Sequence, residues 1–311
     1  MVNLLALIEL LFNGVIPVAF SSYFGFYLGK KSIFSYEDAK VILKFVGTVA
    51  VPAMSADIVL SINFLTIDPI LYFLYFCSEA FVYLLGFLIA KLFFRVGIKE
   101  AILIGAASAF ANHVLYVYPI ALLEFSLDKI NPIINIMAMD VLLLSFTILL
   151  LDLVSNKTIP MASLIKKQLY NPPLIGLGVG VLILMIPLDL PGGISRTFKF
   201  ISVAAAPCAL FALGIILSLK TGKSQLKIGL TVSLLRLVVH PLVAFIIIIL
   251  FGGYKVDDAR TTLMVASAPV GLMALTFAPK YNVQTEAIAI SIFWTLIGSL
   301  VLIPFMGVIQ I

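Results

Sequence analysis

Ten apolar runs dominate this chain, at about 4–28, 39–62, 69–94, 101–123, 131–154, 171–190, 198–219, 228–252, 261–279 and 286–310. A helix needs roughly 20 apolar residues to cross the ~30 Å hydrocarbon core of a bilayer. Backbone in lipid must pair its own polar groups, so runs of this length are read as membrane helices. Ten spans and short loops use up 311 residues and leave no room for a soluble domain. The chain is 62% hydrophobic and 11% charged, where a soluble chain carries about 25% charged residues. That excludes a disordered tail, a collagen-like rod and a disulfide scaffold. Cys77 and Cys208 each lie inside an apolar run, with no metal or redox spacing, and are expected to pack.

The breaks between runs carry physical punctuation. Lys30-Lys31-Ser32 closes span 1, and Asp68-Pro69 opens span 3 with proline where its missing N–H costs nothing. Asn131-Pro132 and Asn171-Pro172-Pro173 read as N-caps followed by proline, opening spans 5 and 6. Residues 157–169 read as a short amphipathic interfacial helix joining two halves. The first run lacks a basic leading segment and carries Glu9, so it is not read as a cleaved signal peptide.

The net charge of +5 sits between the runs, where it reports topology rather than nucleic-acid binding. Of 20 Lys and Arg residues, 14 fall in loops after odd spans and 5 after even ones, with Arg236 left inside span 8. The positive-inside rule then places the odd loops in the cytoplasm and both termini outside. With no targeting extension evident, a multi-pass protein of a prokaryotic plasma membrane is expected.

Five spans per half give the halves opposite orientations, the arrangement of an inverted repeat. Weak internal echoes agree. Val51-Pro52-Ala53 in span 2 is matched by Ala206-Pro207-Cys208 in span 7, and Ala107-Ser108-Ala109 in span 4 by Ala266-Ser267-Ala268 in span 9. Span 1 has Asn13 and Pro17 where span 6 has Asn171 and its two prolines. The expected fold is an all-α integral membrane protein of ten transmembrane helices in two inverted five-helix repeats, with broken crossing helices 4 and 9. The repeats are drawn at 1–156 and 170–311, joined by the linker at 157–169.

Spans 4 and 9 carry the expected chemistry. Span 4 holds Ser108, Asn112, His113, Tyr116 and Pro119, and span 9 holds Ser267, Pro269 and Gly271. A mid-span proline removes a backbone hydrogen bond and clashes with the preceding turn. Unwound backbone is tolerated in a bilayer only against protein or a watery cavity. Two such breaks at matched depth point to a midplane binding site whose free N–H groups suit a carboxylate. For each proline alone, the plainer reading is a simple kink.

These features together resemble the auxin efflux carrier family, which includes plant efflux carriers and prokaryotic dicarboxylate permeases. The resemblance rests on Pro17, Val51-Pro52-Ala53, Asn112 seven residues before Pro119, Asn171-Pro172-Pro173-Leu174-Ile175, Ala206-Pro207 before Leu210-Phe211-Ala212-Leu213-Gly214, and Ala268-Pro269. It implies spans 1, 2, 6 and 7 as a scaffold, with spans 3–5 and 8–10 as a moving transport domain. It also implies an elevator-like carrier of organic anions, dimeric through spans 2 and 7. Many relatives place a glycine before the crossover asparagine; here the residue is Ala111.

Ionisable residues at membrane depth are costly and mark function by default. Asp57, Glu79, Asp140 and Arg236 are the charge and coupling candidates, with Glu79 and Arg236 on the third helix of each repeat expected to face each other as a pair. The bland reading is that each snorkels or pairs elsewhere. His113 either couples transport to protons or packs as a satisfied histidine beside the break; His240, before Pro241, reads as structural. The expected partners are a small organic anion, the lipid bilayer, and a proton or sodium as coupling ion. No cofactor and no metal site is expected. The chain has no His-Glu-x-x-His and no Gly-x-Ser-x-Gly, which argues against an enzyme. The alternatives are a bile-acid/sodium-symporter-like carrier, or a receptor or channel of the same inverted-repeat fold.

Overall fold

A computed structural model describes residues 16–61, 68–118, 121, 125, 127–155, 170, 172–186, 192–219 and 223–308. All its regular elements are helical. In chain order they are α1 (Ile16–Lys30), α2 (Tyr36–Ser61), α3 (Pro69–Phe93), α4 (Ile98–Ala109), α5 (Leu127–Ser155) and α6 (Pro172–Met185). They continue with α7 (Gly193–Leu217), α8 (Gln225–Phe251), α9 (Val256–Ala266), α10 (Met273–Phe277) and α11 (Glu286–Val308). Among the described residues five helices, α2, α3, α5, α7 and α8, are long and apolar enough to cross a bilayer. Shorter apolar helices lie at Pro172–Met185 and Glu286–Ser299. Large apolar side chains stand exposed on the outer faces, Phe73, Leu84 and Phe93 on α3 and Leu242, Leu250 and Phe251 on α8 among them. Such a surface suits hydrocarbon rather than water. The first-run residues 4–15, with Asn13, and the linker 157–169 lie outside the described residues, as does Asn171.

Helix starts follow local chemistry. The Asp68 carboxylate accepts the amides of Ile70 and Leu71, each at 3.1 Å, so Asp68-Pro69 caps α3 as expected. Ser35 and Asp38 close a reciprocal capping box on α2, with Ser35 N–H donating to Asp38 Oδ2 at 2.8 Å. The expected start of the fifth segment at Asn131 is corrected: α5 begins at Leu127 and carries Pro132 inside it. A proline in the second turn forfeits one backbone bond, which a 29-residue helix absorbs.

Prolines elsewhere are accommodated by widened turns. The backbone opens to π geometry at Val46–Ala50, just before Pro52, and at Leu235–Val239, just before Pro241. A π turn moves the carbonyl that a proline ring would otherwise strike, so α2 and α8 continue past these residues instead of ending.

Glycines set the closest packing. A Cβ on Gly25 would lie 2.1 Å from the Phe211 carbonyl oxygen, and one on Gly214 would lie 1.9 Å from the Ser22 carbonyl oxygen. These reciprocal contacts press α1 against α7. On the other side, a Cβ on Gly176 of α6 would lie 2.1 Å from the Pro52 carbonyl oxygen of α2. Apolar burial gives little drive between helices in lipid, so close backbone approach through small residues supplies the attraction. Gly214→Val is expected to destabilise the protein by about 3 kcal/mol, read as a lower unfolding temperature in detergent. Gly178→Ala, where an added Cβ meets nothing within 4 Å, is the control and is expected to be neutral or slightly stabilising. Equal unfolding temperatures for both variants would contradict the tight α1–α7 contact.

Candidate functional site

The fourth and ninth segments are both broken, and they cross at the breaks. Helix α4 stops at Ala109, Phe110 is extended, and the chain resumes as a π turn at His113–Val117. Helix α9 stops at Ala266, and α10 begins at Met273. Between the breaks Ala111 and Val270 form an antiparallel bridge. The Asn112 amide donates to the Pro269 carbonyl at 2.9 Å, and the Gly271 amide donates to the Phe110 carbonyl at 2.8 Å. The Val270 amide donates to the Thr295 hydroxyl of α11 at 3.0 Å. Buried backbone groups must be paired, and this exchange pairs groups that both helices leave free. Proline is the residue that gives up least at position 269, since only its carbonyl is used. Gly271 is required by distance: a Cβ there would lie 2.9 Å from the Ala111 carbonyl oxygen.

Two helix C-termini, from α4 and α9, therefore meet inside the protein. Each end carries about half a negative charge on its free carbonyls. Arg236, fully buried in the π turn of α8, closes both. Its Nη1 donates to Ala109 O at 2.6 Å, its Nε to Ala268 O at 2.9 Å and its Nη2 to Val265 O at 2.8 Å. Nη1 also contacts His240 Nδ1, one turn further along α8. The planar guanidinium presents five N–H groups in a fixed fork, and the converging carbonyls use that geometry. The His240 ring packs against Tyr75 at 5.7 Å between centroids. The expected Arg236–Glu79 pairing is not a direct one: among the described residues the guanidinium bonds to carbonyls, and Glu79 stands as a neighbouring charge. Glu79 is fully buried, and its carboxyl lies against that of Asp140, with Arg236 near enough for its charge to act on both.

A cavity of about 600 Å³ opens beside the crossing. Helices α2 and α7 form one wall, and the crossing with α5 forms the other. Most of the lining is apolar, including Met54, Ile58, Phe110, Met137, Leu144 and Met273. The polar groups are few and placed. Asn112 is 5% exposed, and its Nδ2 has no hydrogen-bond partner among the described residues. His113 lies beside it, with Nε2 at 3.2 Å from Asp140 Oδ2. Asp57 reaches the cavity from α2 and accepts a hydrogen bond from the Ser202 hydroxyl at 3.0 Å. Lys199 is exposed on the cavity lining, one turn of α7 before Ser202.

Of the residues singled out from sequence, Asn112, His113, Asp57 and Asp140 line this cavity together. Pro269 and Gly271 build the crossing itself. Ser108, Tyr116 and Ser267 stay off the cavity lining. The Ser108 hydroxyl donates to Ile104 O at 2.9 Å and packs on Gly86 of α3. The Ser267 hydroxyl donates to Leu263 O at 2.9 Å, and Tyr116 points to Leu296 of α11. Pro119 lies outside the described residues. Sequence reading missed Lys199, Ser202 and Thr276 in the lining and Thr295 at the crossing. Lys199 was countable only as a loop charge, and the two threonines carry no local motif.

Several membrane-length apolar helices, with interrupted helices crossing beside a buried polar site, fit a multi-pass membrane protein. A family model described as "Membrane transport protein" matches residues 150–307, about half of the chain, and the chain belongs to that family, the auxin efflux carriers. The family is one of transporters, not enzymes. A Rhizobium meliloti (strain 1021) protein named "Putative malonate transporter" is 28% identical over 131 residues, 42% of this chain and 41% of the relative. An uncharacterized transporter of Methanocaldococcus jannaschii is 29% identical over 148 residues, 47% of this chain and 48% of the relative. One from Methanothermobacter thermautotrophicus is 29% identical over 149 residues, with the same coverage. The chain thus spans about half the length of the curated relatives it matches.

Gly271→Ala is expected to push the two breaks apart and lower stability by about 1–3 kcal/mol. Thermal unfolding in detergent measures it, and an unchanged midpoint would contradict the close crossing.

Proposed function

We propose that the chain is a secondary carrier of small organic anions of the dicarboxylate class, working across the plasma membrane by an elevator-type motion. The observation that carries this reading is the buried Asn112 Nδ2, without a hydrogen-bond partner among the described residues, beside His113 in the cavity at the crossing. A buried donor left unpaired costs about 1–3 kcal/mol. A carboxylate oxygen entering the cavity removes that cost. His113 and Asp140, 3.2 Å apart, form a polar pair beside it. Lys199, on the exposed part of the lining, gives a second carboxylate its own partner. The name of the Rhizobium relative, which refers to malonate, supports the same substrate class.

The architecture fits a two-body carrier. The α1–α7 and α2–α6 contacts join spans 1, 2, 6 and 7 into a scaffold, and their pairing across the halves supports two inverted five-helix repeats making ten spans. Segments 3–5 and 8–10 hold the crossing and form the transport domain. The largely apolar cavity walls lie between the two bodies, where sliding leaves few polar bonds to break. Both termini face outward, and two copies associate through spans 2 and 7.

Proteoliposome uptake of labelled malonate, malate and succinate tests the reading. Wild-type protein is expected to accumulate at least one of them above empty vesicles. Asn112→Leu is expected to lower that uptake at least about tenfold, the equivalent of one lost buried hydrogen bond. His113→Ala is expected to flatten the dependence of uptake on pH. No uptake of any dicarboxylate, or full activity in Asn112→Leu, would overturn the assignment.

A further inference from the structure

Two acids from different helices meet inside the protein. Glu79 of α3 is fully buried, and its carboxyl lies against that of Asp140 on α5. Among the described residues, the Asp140 carboxyl is the one group within bonding reach of the Glu79 oxygens. Two carboxyl groups bond each other only when one of them holds a proton, because an ionised carboxylate has acceptors and no donor. Ionised together and away from water, they repel. The contact therefore defines the protonated form of the pair.

One end of the pair reaches the cavity. Asp140 lines it beside Asn112 and His113, with its side chain 14% exposed and its Oδ2 at 3.2 Å from His113 Nε2. Glu79 is the end behind, off the cavity lining. The other charged or titratable groups facing the pair are Tyr75, one turn before Glu79 on α3, and Arg236 on α8, with His240 beside those two. Arg236 acts on both carboxyls and is the counter-charge that stays when a proton leaves.

Taking the carrier reading above as the base, we infer that Glu79 and Asp140 form a proton-binding site, and that a proton enters and leaves the cavity with each dicarboxylate. A proton shared by the pair leaves a single negative charge there, and a carboxylate can approach the free amide of Asn112. Without that proton a further negative charge stands at Asp140, on the cavity wall, and repels the same anion. Anion and proton thus favour each other's binding, each to the same extent. The proton comes from cavity water at the Asp140 end and bonds a carboxylate oxygen. It returns to water by the same end once the cavity has opened on the other side and the anion has gone.

Purified protein in a weakly buffered detergent solution with a pH-indicator dye reads the proton directly as malonate, malate and succinate are added in turn. The wild type is expected to take up about one proton per dicarboxylate bound. Glu79→Gln replaces the protonated member by an amide that can donate to Asp140. It is expected to bind the anion with an affinity that no longer varies with pH, and to take up no proton. Asp140→Asn serves the same purpose if that variant does not fold, and if neither folds the wild-type proton count decides alone. In wild-type proteoliposomes held at zero membrane potential, an inward proton gradient of about tenfold is expected to raise dicarboxylate accumulation by roughly five- to tenfold. That gain is expected to vanish in Glu79→Gln. The unfolding temperature in detergent needs no substrate. The folded pair keeps a proton that the unfolded chain gives up, so stability falls as pH rises. The wild-type midpoint is expected to fall more steeply than that of Glu79→Gln between about pH 6 and about pH 9.

Dicarboxylate binding by the wild type without proton uptake, or accumulation indifferent to the gradient, would overturn the inference. So would equal proton uptake by the wild type and Glu79→Gln, which would put the proton on the substrate, or parallel pH profiles of their two midpoints. Failure of every dicarboxylate to bind or accumulate counts against the carrier reading instead, and the midpoints still decide whether the pair holds a proton.

Discussion

A guanidinium placed where two helix C-termini meet sets the terms for the rest of this structure. Stopping α4 at Ala109 and α9 at Ala266 leaves carbonyls pointing into the protein interior. Water cannot reach them, and unpaired they would make the breaks prohibitively costly in a membrane. Arg236 satisfies three of them at once and offsets the helix dipoles. The cost of burying its charge is met by those same carbonyls. Each feature makes the other tolerable.

With the carbonyl side of the crossing closed by Arg236, the amide and side-chain side is free for chemistry. The cavity receives Asn112 and His113 from the residues just after the first break and Met273 and Thr276 from those just after the second. The crossing is thus polarised, with fixed positive charge behind it and an unpaired donor in front. Asp140 of α5, beside His113, and the buried Glu79 of α3 neighbour each other and the arginine.

Much of this was legible from residue order, for reasons that differ from place to place. The apolar runs announce membrane helices because length and hydropathy are local properties, and Asp68-Pro69 announces a helix start because a cap is local too. The paired breaks were visible as Pro269 and Gly271 in one segment and as the polar pair Asn112-His113 in the other. Arg236 was visible only as a charge out of place; besides His240 one turn on, it bonds main-chain oxygens, which carry no signature in a sequence. That is why sequence points to an acidic partner, Glu79, which the structure makes a neighbouring charge rather than the group the guanidinium bonds. Ser108 and Ser267 sat at echoing positions, yet each turns its hydroxyl onto the carbonyl one turn back. Helical serines in an apolar setting have that option, and sequence cannot tell it from exposure to a ligand. Asn131-Pro132 misled because a proline in the second turn resembles a proline in the first.

The short bridge between Ala111 and Val270 limits how the molecule can rearrange. Two main-chain bonds, one arginine and one threonine lash the four half-helix ends together. Swinging either half alone would tear several of these fastenings simultaneously in a place no solvent can repair. A rearrangement that spares these fastenings has to carry the crossing as one piece, with its change of shape taken up in the packing around it.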